Sequence, residues 1–150
     1  NIYAVKVLDR NQRGGYDSII RGINWSIEQN VDIILMSLGG RTYSKELDKV
    51  IKKASKKGIT IVSAVGNGGL STQDTITYPA KLEGVIGIGA TNNKNERWFK
   101  SSRGEGIDVM APGENIYGTT LDNKTVKQSG TSVAAAYTTG VIALLKQHDN

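Results

Sequence analysis

Residues 31–65 read VDIILMSLGGRTYSKELDKVIKKASKKGITIVSAV, and this stretch decides the fold. Val31 to Leu38 is a short apolar run closed by Gly39-Gly40, which predicts a buried strand. Leu47, Val50, Ile51 and Ala54 then recur at i, i+3, i+4, i+7, one face of a helix. Lys45, Lys49, Lys52, Lys53, Lys56 and Lys57 flank that stripe, and Gly58 stands where a helix C′ residue belongs. Thr60 to Val65 is a further strand, running into Gly66-Asn67-Gly68-Gly69. Strand, helix, strand predicts a right-handed βαβ unit in a parallel sheet covered on both faces.

The same alternation extends in both directions. Ile2 to Leu8 is a β-branched run that predicts a strand, ended by a loop from Asp9 to Gly15. Tyr16, Ile19, Ile20, Ile23 and Ile27 follow at helical spacing, with Arg21, Asn24 and Glu28 on the other face. Val85 to Ala90 is another strand. Ile107 to Met110 runs into Ala111-Pro112-Gly113, and Ile116-Tyr117 can form a hairpin with Thr125-Val126-Lys127 around Asp122-Asn123. Thr131 to about Gln147 closes the chain as a helix apolar nearly all round, which predicts burial. The fold class is α/β with a mostly parallel sheet, and neither repeat nor linker interrupts it.

Composition narrows the chemistry. The 150 residues suit one domain, and 38% hydrophobic with 22% charged residues is a globular balance. No apolar run approaches the roughly 18 residues of a membrane span. The chain opens on Asn1 rather than Met, which reads as the loss of an amino-terminal piece, so the lack of a signal peptide carries no weight. With no cysteine and the single histidine His148, thiol nucleophiles, Cys zinc sites and His-rich metal sites are excluded. The net charge of +5 sits largely on the lysine helix, as one solvated face without interleaved aromatics. That pattern speaks against nucleic acid as a partner.

Three motifs could carry chemistry. Tyr3-Ala4-Val5-Lys6-Val7 looks like the kinase strand that supplies a phosphate-binding lysine, but only two residues precede it and no His-Arg-Asp or Asp-Phe-Gly follows. Gly66-Asn67-Gly68 after a strand invites a dinucleotide reading. The fingerprint then wants Gly or Ala where Ser71 stands, and no helical pattern follows. An asparagine among glycines can instead donate its amide where a backbone approaches closely. Ser129-Gly130-Thr131-Ser132 opens the last helix: it is either a plain cap or a nucleophile placed where free N–H groups and the positive helix end converge. Spacing alone leaves both readings open. Gly130-x-Ser132-x-Ala134 lacks the second glycine of an α/β-hydrolase elbow.

Several of these motifs together resemble the subtilisin-like serine proteases, over the whole chain. Ser129-Gly130-Thr131-Ser132-Val133-Ala134 is similar to the family's nucleophile motif, and Val65-Gly66-Asn67-Gly68-Gly69 to its Ala-Gly-Asn oxyanion motif. Tyr3 to Leu8, Val31 to Gly40, Tyr78-Pro79-Ala80 and Ile107 to Gly113 follow the family in order and spacing. The resemblance implies a three-layer fold of which residues 1–150 form the C-terminal portion of a single peptidase domain. It makes Ser132 the acylating nucleophile, with the Asn67 amide and the Ser132 N–H as oxyanion donors. Ser37, Leu38, Gly39, Ala64, Val65 and Gly66 would line the pocket for the residue before the scissile bond. Gly14, Gly15 and Tyr16 would pair with extended substrate, with Tyr16 and Ile19 near a second apolar pocket.

The resemblance also marks what this stretch lacks. The family's order is Asp, His, Ser, and nothing here resembles the first two motifs, so a preceding segment of the same domain is the expected partner. His148 lies 16 residues beyond Ser132, about 24 Å along a continuous helix, against a hydrogen-bond reach of roughly 3 Å. Ala136-Tyr137 replaces the family's Pro-His, and Phe99-Lys100-Ser101-Ser102 replaces Ser-Phe-Ser-Ser. The chemistry needs no cofactor; the family implies structural calcium on carbonyls of Ala80, Leu82 and Val85. The expected activity is serine-type endopeptidase acting on peptides or proteins, with no membrane partner. The rival is a pseudoprotease that binds peptides without cleaving them. Family habit favours secretion over the cytoplasm, since a cysteine-free chain suits either.

Overall fold

The computed structural model describes residues 1–120 and 122–148. Helix α1 (Tyr16–Glu28) leads into strand β1 (Ile33–Met36), helix α2 (Lys45–Lys56), strand β2 (Thr60–Ala64) and strand β3 (Val85–Thr91). Strand β4 (Val109–Pro112), the hairpin β5 (Ile116–Thr119) and β6 (Thr125–Gln128), and helix α3 (Thr131–His148) complete it. Strands β1 to β4 form one sheet in chain order, every pair parallel, with Ile33 opposite Thr60, Ile61 opposite Val85 and Ile88 opposite Val109. The hairpin is antiparallel and separate.

Side-chain alternation along the strands builds two cores. Ile34, Met36 and Ile61 point to the face covered by α1 and α2, where Ile23, Ile27, Leu47, Ile51 and Ala54 are buried. Val62, Ala64, Ile88, Ala90 and Ala111 point to the other face, against Ala134 and Ala135 of α3. Helices on both faces of the sheet make three layers, as expected. Ser44 caps α2 by accepting from the Leu47 N–H at 3.2 Å, and Gly58 takes the positive φ (+79°) that ends it.

Two expectations need correction. Ile2 to Leu8 is not a strand: among the described residues its backbone N–H groups find no ladder acceptor. It lies along α1 instead, with Val5 and Val7 against Gly22 and the Tyr3 ring edge-on to Trp25. A β-rich run becomes a strand only beside another backbone edge, and this one is held by side chains alone. Helix α3 is likewise not buried all round. Its first turns are covered by the sheet, but Tyr137, Val141, Leu144 and Leu145 are exposed, Leu144 at 68% and Leu145 at 60%. Apolar composition states what a helix can bury, while the sheet covers only one side of it.

Candidate active site

Beyond β1 and β2 the chain leaves the sheet at its carboxyl edge, the edge at which open α/β sheets bind ligands. Residues 37–39 run out from one strand and 65–69 from the other, and the N-terminus of α3 abuts both. Ser132 stands in the first turn of α3, partly buried. Its hydroxyl donates to the Ser37 carbonyl at 3.2 Å, and the Ser37 hydroxyl donates to the Ser132 carbonyl at 3.0 Å.

Asn67 lies across from this turn. Its Oδ1 accepts from both the N–H and the hydroxyl of Thr131, each at 3.0 Å. An N–H can only donate, so the amide orientation is set: Oδ1 faces Thr131 and Nδ2 faces away. A Cβ built on Gly130 would lie 3.5 Å from Asn67 Nδ2 and 3.7 Å from the Ser132 nitrogen. The two nitrogens therefore lie near one point in space, and neither donates to an acceptor among the described residues. Thr131 Oγ1 also accepts from the Gly66 N–H at 3.2 Å, tying the glycine turn to the helix. Plain capping by Ser129 is not what the structure has, since its hydroxyl accepts from the Asn115 N–H at 2.9 Å instead.

The loop 97–103 braces the turn that carries Asn67. Ser102 Oγ accepts from the Gly68 N–H at 3.0 Å, Lys100 O accepts from the Gly69 N–H at 2.9 Å, and Arg103 donates to the Gly69 carbonyl at 3.2 Å. Burial, and then the neighbouring Arg103, push the Arg97 guanidinium below its ordinary pKa. Arg97 donates to the carbonyls of Trp98, Phe99 and Ser101. Ser101 and Ser102 are buried while Phe99 and Lys100 face outward, so the unusual residues of this loop leave its bracing contacts intact.

The remaining predicted residues spread around this centre. The Ala64 and Val65 side chains are buried in the cores, and the Val65 backbone is bonded on both sides, its N–H to Ile88 and its carbonyl to Thr77, while Gly39 is exposed and Leu38 and Gly66 are part-buried. Gly14 and Gly15 are exposed; a Cβ on Gly14 would lie 2.5 Å from the Val7 carbonyl. Tyr16 donates its hydroxyl to the Thr42 carbonyl, and burial raises its pKa, with Tyr78 adding to the effect. Ile19 is buried in the α1 core, so Tyr16 alone of that pair offers surface. Ala80 and Leu82 lie before β3 and Val85 begins it; their carbonyls are hard oxygen donors, the class calcium takes, and Leu82's accepts from the Val85 N–H at 3.2 Å. Among the described residues, no three acidic, His or Cys side chains gather to hold a metal.

A cleft of about 480 Å³ opens beside Ser132, bounded by Ile116, Tyr117, Gln128, Ala136 and Tyr137. His148 does not reach it, because α3 runs unbroken from Thr131 to His148 and places His148 about 24 Å from Ser132. Thr131 as the residue that orients Asn67 was not legible beforehand, although it sits inside the serine motif.

A parallel sheet with helices on both faces thus carries a helix-end serine with the side-chain amide of Asn67 beside its backbone nitrogen. The chain belongs to the subtilase family, whose profile matches residues 1–150. It is 44% identical over 146 residues to subtilisin E of Bacillus subtilis (strain 168), covering 97% of this chain and 38% of that one. It is 45% identical over 145 residues to a subtilisin of Bacillus pumilus, covering 96% and 53%. Among solved structures it superposes on the prenylagaramide maturation protease PagA with a TM-score of 0.85 at 27% identity, over 91% of this chain and 51% of that one. The chain thus spans about half, or less, of the length of these relatives. No helix among the described residues is long and apolar enough to cross a membrane.

Proposed function

We propose that this chain is the C-terminal part of a serine endopeptidase domain that cleaves peptide bonds by acyl transfer through Ser132. The observation that carries this reading is that Asn67 Nδ2 and the Ser132 nitrogen, both without an acceptor among the described residues, lie within 4 Å of one point beside Gly130. Donors fixed before reaction stabilise the charge that develops on a carbonyl oxygen under attack. Ser132 Oγ would attack the substrate carbonyl, forming the acyl ester and releasing the amine, and water would then hydrolyse the ester.

A carbonyl oxygen is too weak a base to activate the hydroxyl it accepts from, so the Ser37 contact does not prepare Ser132 for attack. The base and its carboxylate partner are assigned to an amino-terminal segment of the same domain. Peptides or proteins are the substrates, and extended chains would pair with the Gly14–Tyr16 edge. Secretion is the assigned location, in keeping with the name of one 41% identical relative, the minor extracellular protease Epr of Bacillus subtilis (strain 168). Carbonyls of Ala80, Leu82 and Val85 would hold a structural calcium ion, read as a rise in Tm on adding calcium.

The test is to supply the amino-terminal half of a subtilisin-type domain, fused or as a separate fragment, and follow hydrolysis of a casein or tetrapeptide substrate. Hydrolysis lost in Ser132→Ala supports the peptidase. Peptide binding without turnover in the parent's own complete chain supports the pseudoprotease.

A further inference from the structure

Asn67 is followed by Gly68, and it is the only asparagine of the chain that a glycine follows. Glycine carries no Cβ, so its nitrogen can close on the preceding side chain where any other residue would hinder the approach. Asn67 is exposed, so water reaches it. Its amide is also held in a way that activates it. Oδ1 accepts from the N–H and the hydroxyl of Thr131, both at 3.0 Å, and that N–H belongs to the first residue of α3, at the positive end of the helix. Two donors on one carbonyl oxygen draw electrons from Cγ and stabilise the negative charge that attack on Cγ creates. Nδ2, the nitrogen that would leave, faces away from Thr131. One contact opposes attack: the Gly68 N–H donates to Ser102 Oγ at 3.0 Å, a bond that must break before this nitrogen can turn to Cγ.

We propose that Asn67 is a site of spontaneous deamidation, by which the chain loses its own oxyanion donor. The bond between the Gly68 nitrogen and Asn67 Cγ forms, the bond between Cγ and Nδ2 breaks, and the amide proton of Gly68 leaves with Nδ2 as ammonia. Water then adds to either carbonyl of the cyclic imide, giving aspartate or isoaspartate at position 67. Aspartate puts an oxygen that only accepts where Nδ2 donated, and isoaspartate adds a carbon to the backbone of the turn. The loss of activity rests on the peptidase reading given above; the modification itself does not.

The test incubates the completed domain as Ser132→Ala, which lacks the nucleophile, and follows each asparagine by peptide mass. Exchange of NH for O at Asn67 is expected several times faster than at Asn123, which is exposed but followed by Lys124. The ratio of these two rates is the readout, because loosening of the whole fold speeds both. In the same background Ser102→Ala, which frees the Gly68 nitrogen, is expected to raise the ratio about fivefold, and Thr131→Val, which takes one donor from Oδ1, to lower it about fivefold. Thr131→Ser retains the hydroxyl and is expected to keep the original ratio. In the domain with Ser132 intact, activity is expected to fall in step with the converted fraction, and Asn67→Asp to be as slow as Asn67→Ala. Conversion at Asn67 no faster than at Asn123, a ratio unmoved in both Ser102→Ala and Thr131→Val, or full activity in Asn67→Asp overturns the proposal. Conversion as expected in a domain that hydrolyses nothing leaves the modification standing, and the peptidase reading falls.

Discussion

Asn67 and Thr131 are joined by two hydrogen bonds to one oxygen, so the asparagine is positioned by the residue immediately before Ser132. The helix that carries the serine also aims the amide that faces it. In the completed enzyme, Asn67→Ala is expected to lower kcat by about 10²–10³ with KM little changed, a magnitude known from subtilisin itself. Equal kcat in mutant and parent would make Asn67 a turn residue only.

Thr131→Val separates aiming from donating. It keeps the backbone N–H on Asn67 Oδ1 and removes the hydroxyl, which also leaves the Gly66 N–H without its acceptor. One net hydrogen bond is worth about 1 kcal/mol, so kcat should fall about five- to tenfold, well short of the Asn67→Ala loss. Thr131→Ser retains the hydroxyl and should restore most of the rate. A loss in Thr131→Val as deep as in Asn67→Ala would mean that the turn itself has collapsed.

The layers were legible because their signals are local. Stripes such as Leu47, Val50, Ile51 and Ala54, and β-branched runs such as Thr60 to Val65, specify element and face by period alone. Ser132 and Asn67 were singled out through a resemblance rather than through spacing, which left a cap and a nucleophile both open. What composition could not say is which surfaces find partners. Ile2 to Leu8 needed a second backbone edge, and the outer face of α3 needed a cover.

Asp74 predicts a small acid dependence of stability. Its carboxylate accepts from Lys81 Nζ at 2.7 Å and from the Ile76 N–H at 2.9 Å, and these, Lys81 first, hold its pKa below the ordinary carboxylate value. A depressed folded-state pKa means that the unfolded chain takes up the proton first as pH falls. The contribution is therefore complete above about pH 4 and lost below it. Asp74→Asn should lower the Tm of the completed domain at neutral pH, with the gap to the parent closing as pH falls below the ordinary carboxylate value. A gap of constant size across that range would show that the carboxylate charge is not what matters.

The exposed face of α3 predicts how the chain behaves alone. Tyr137, Val141, Leu144 and Leu145 are each more than two-fifths exposed, and Leu35 on the edge strand β1 adds to the apolar surface. Side chains of this kind gain about 25 cal/mol per Å² when covered, so their exposure leaves the isolated chain short of stability. We expect a broad melt and strong binding of an apolar dye, both reduced when the amino-terminal half is added. Leu144→Glu should raise the solubility of the isolated chain. A sharp cooperative melt without dye binding would show that the 150 residues are self-sufficient.

The decisive chemistry concerns the serine proton. Ser132 Oγ donates to a backbone carbonyl, Ser37 O, at 3.2 Å, and an amide oxygen cannot take the proton at neutral pH. A serine hydroxyl is a weak nucleophile until a base stands within hydrogen-bond reach, and the imidazole of His148 is about 24 Å away along α3. The donors at Asn67 and Ser132 remain, and enzymes stripped of a triad member keep roughly 10³–10⁴ of rate over water from such groups and from binding. The isolated chain should therefore show trace peptidase activity at most and react slowly with a fluorophosphonate probe. Adding the amino-terminal half should bring rapid labelling that disappears in Ser132→Ala and survives in His148→Ala. Rapid labelling of the isolated chain that is lost in His148→Ala would place the base on α3 and overturn the assignment of base and carboxylate to a preceding segment.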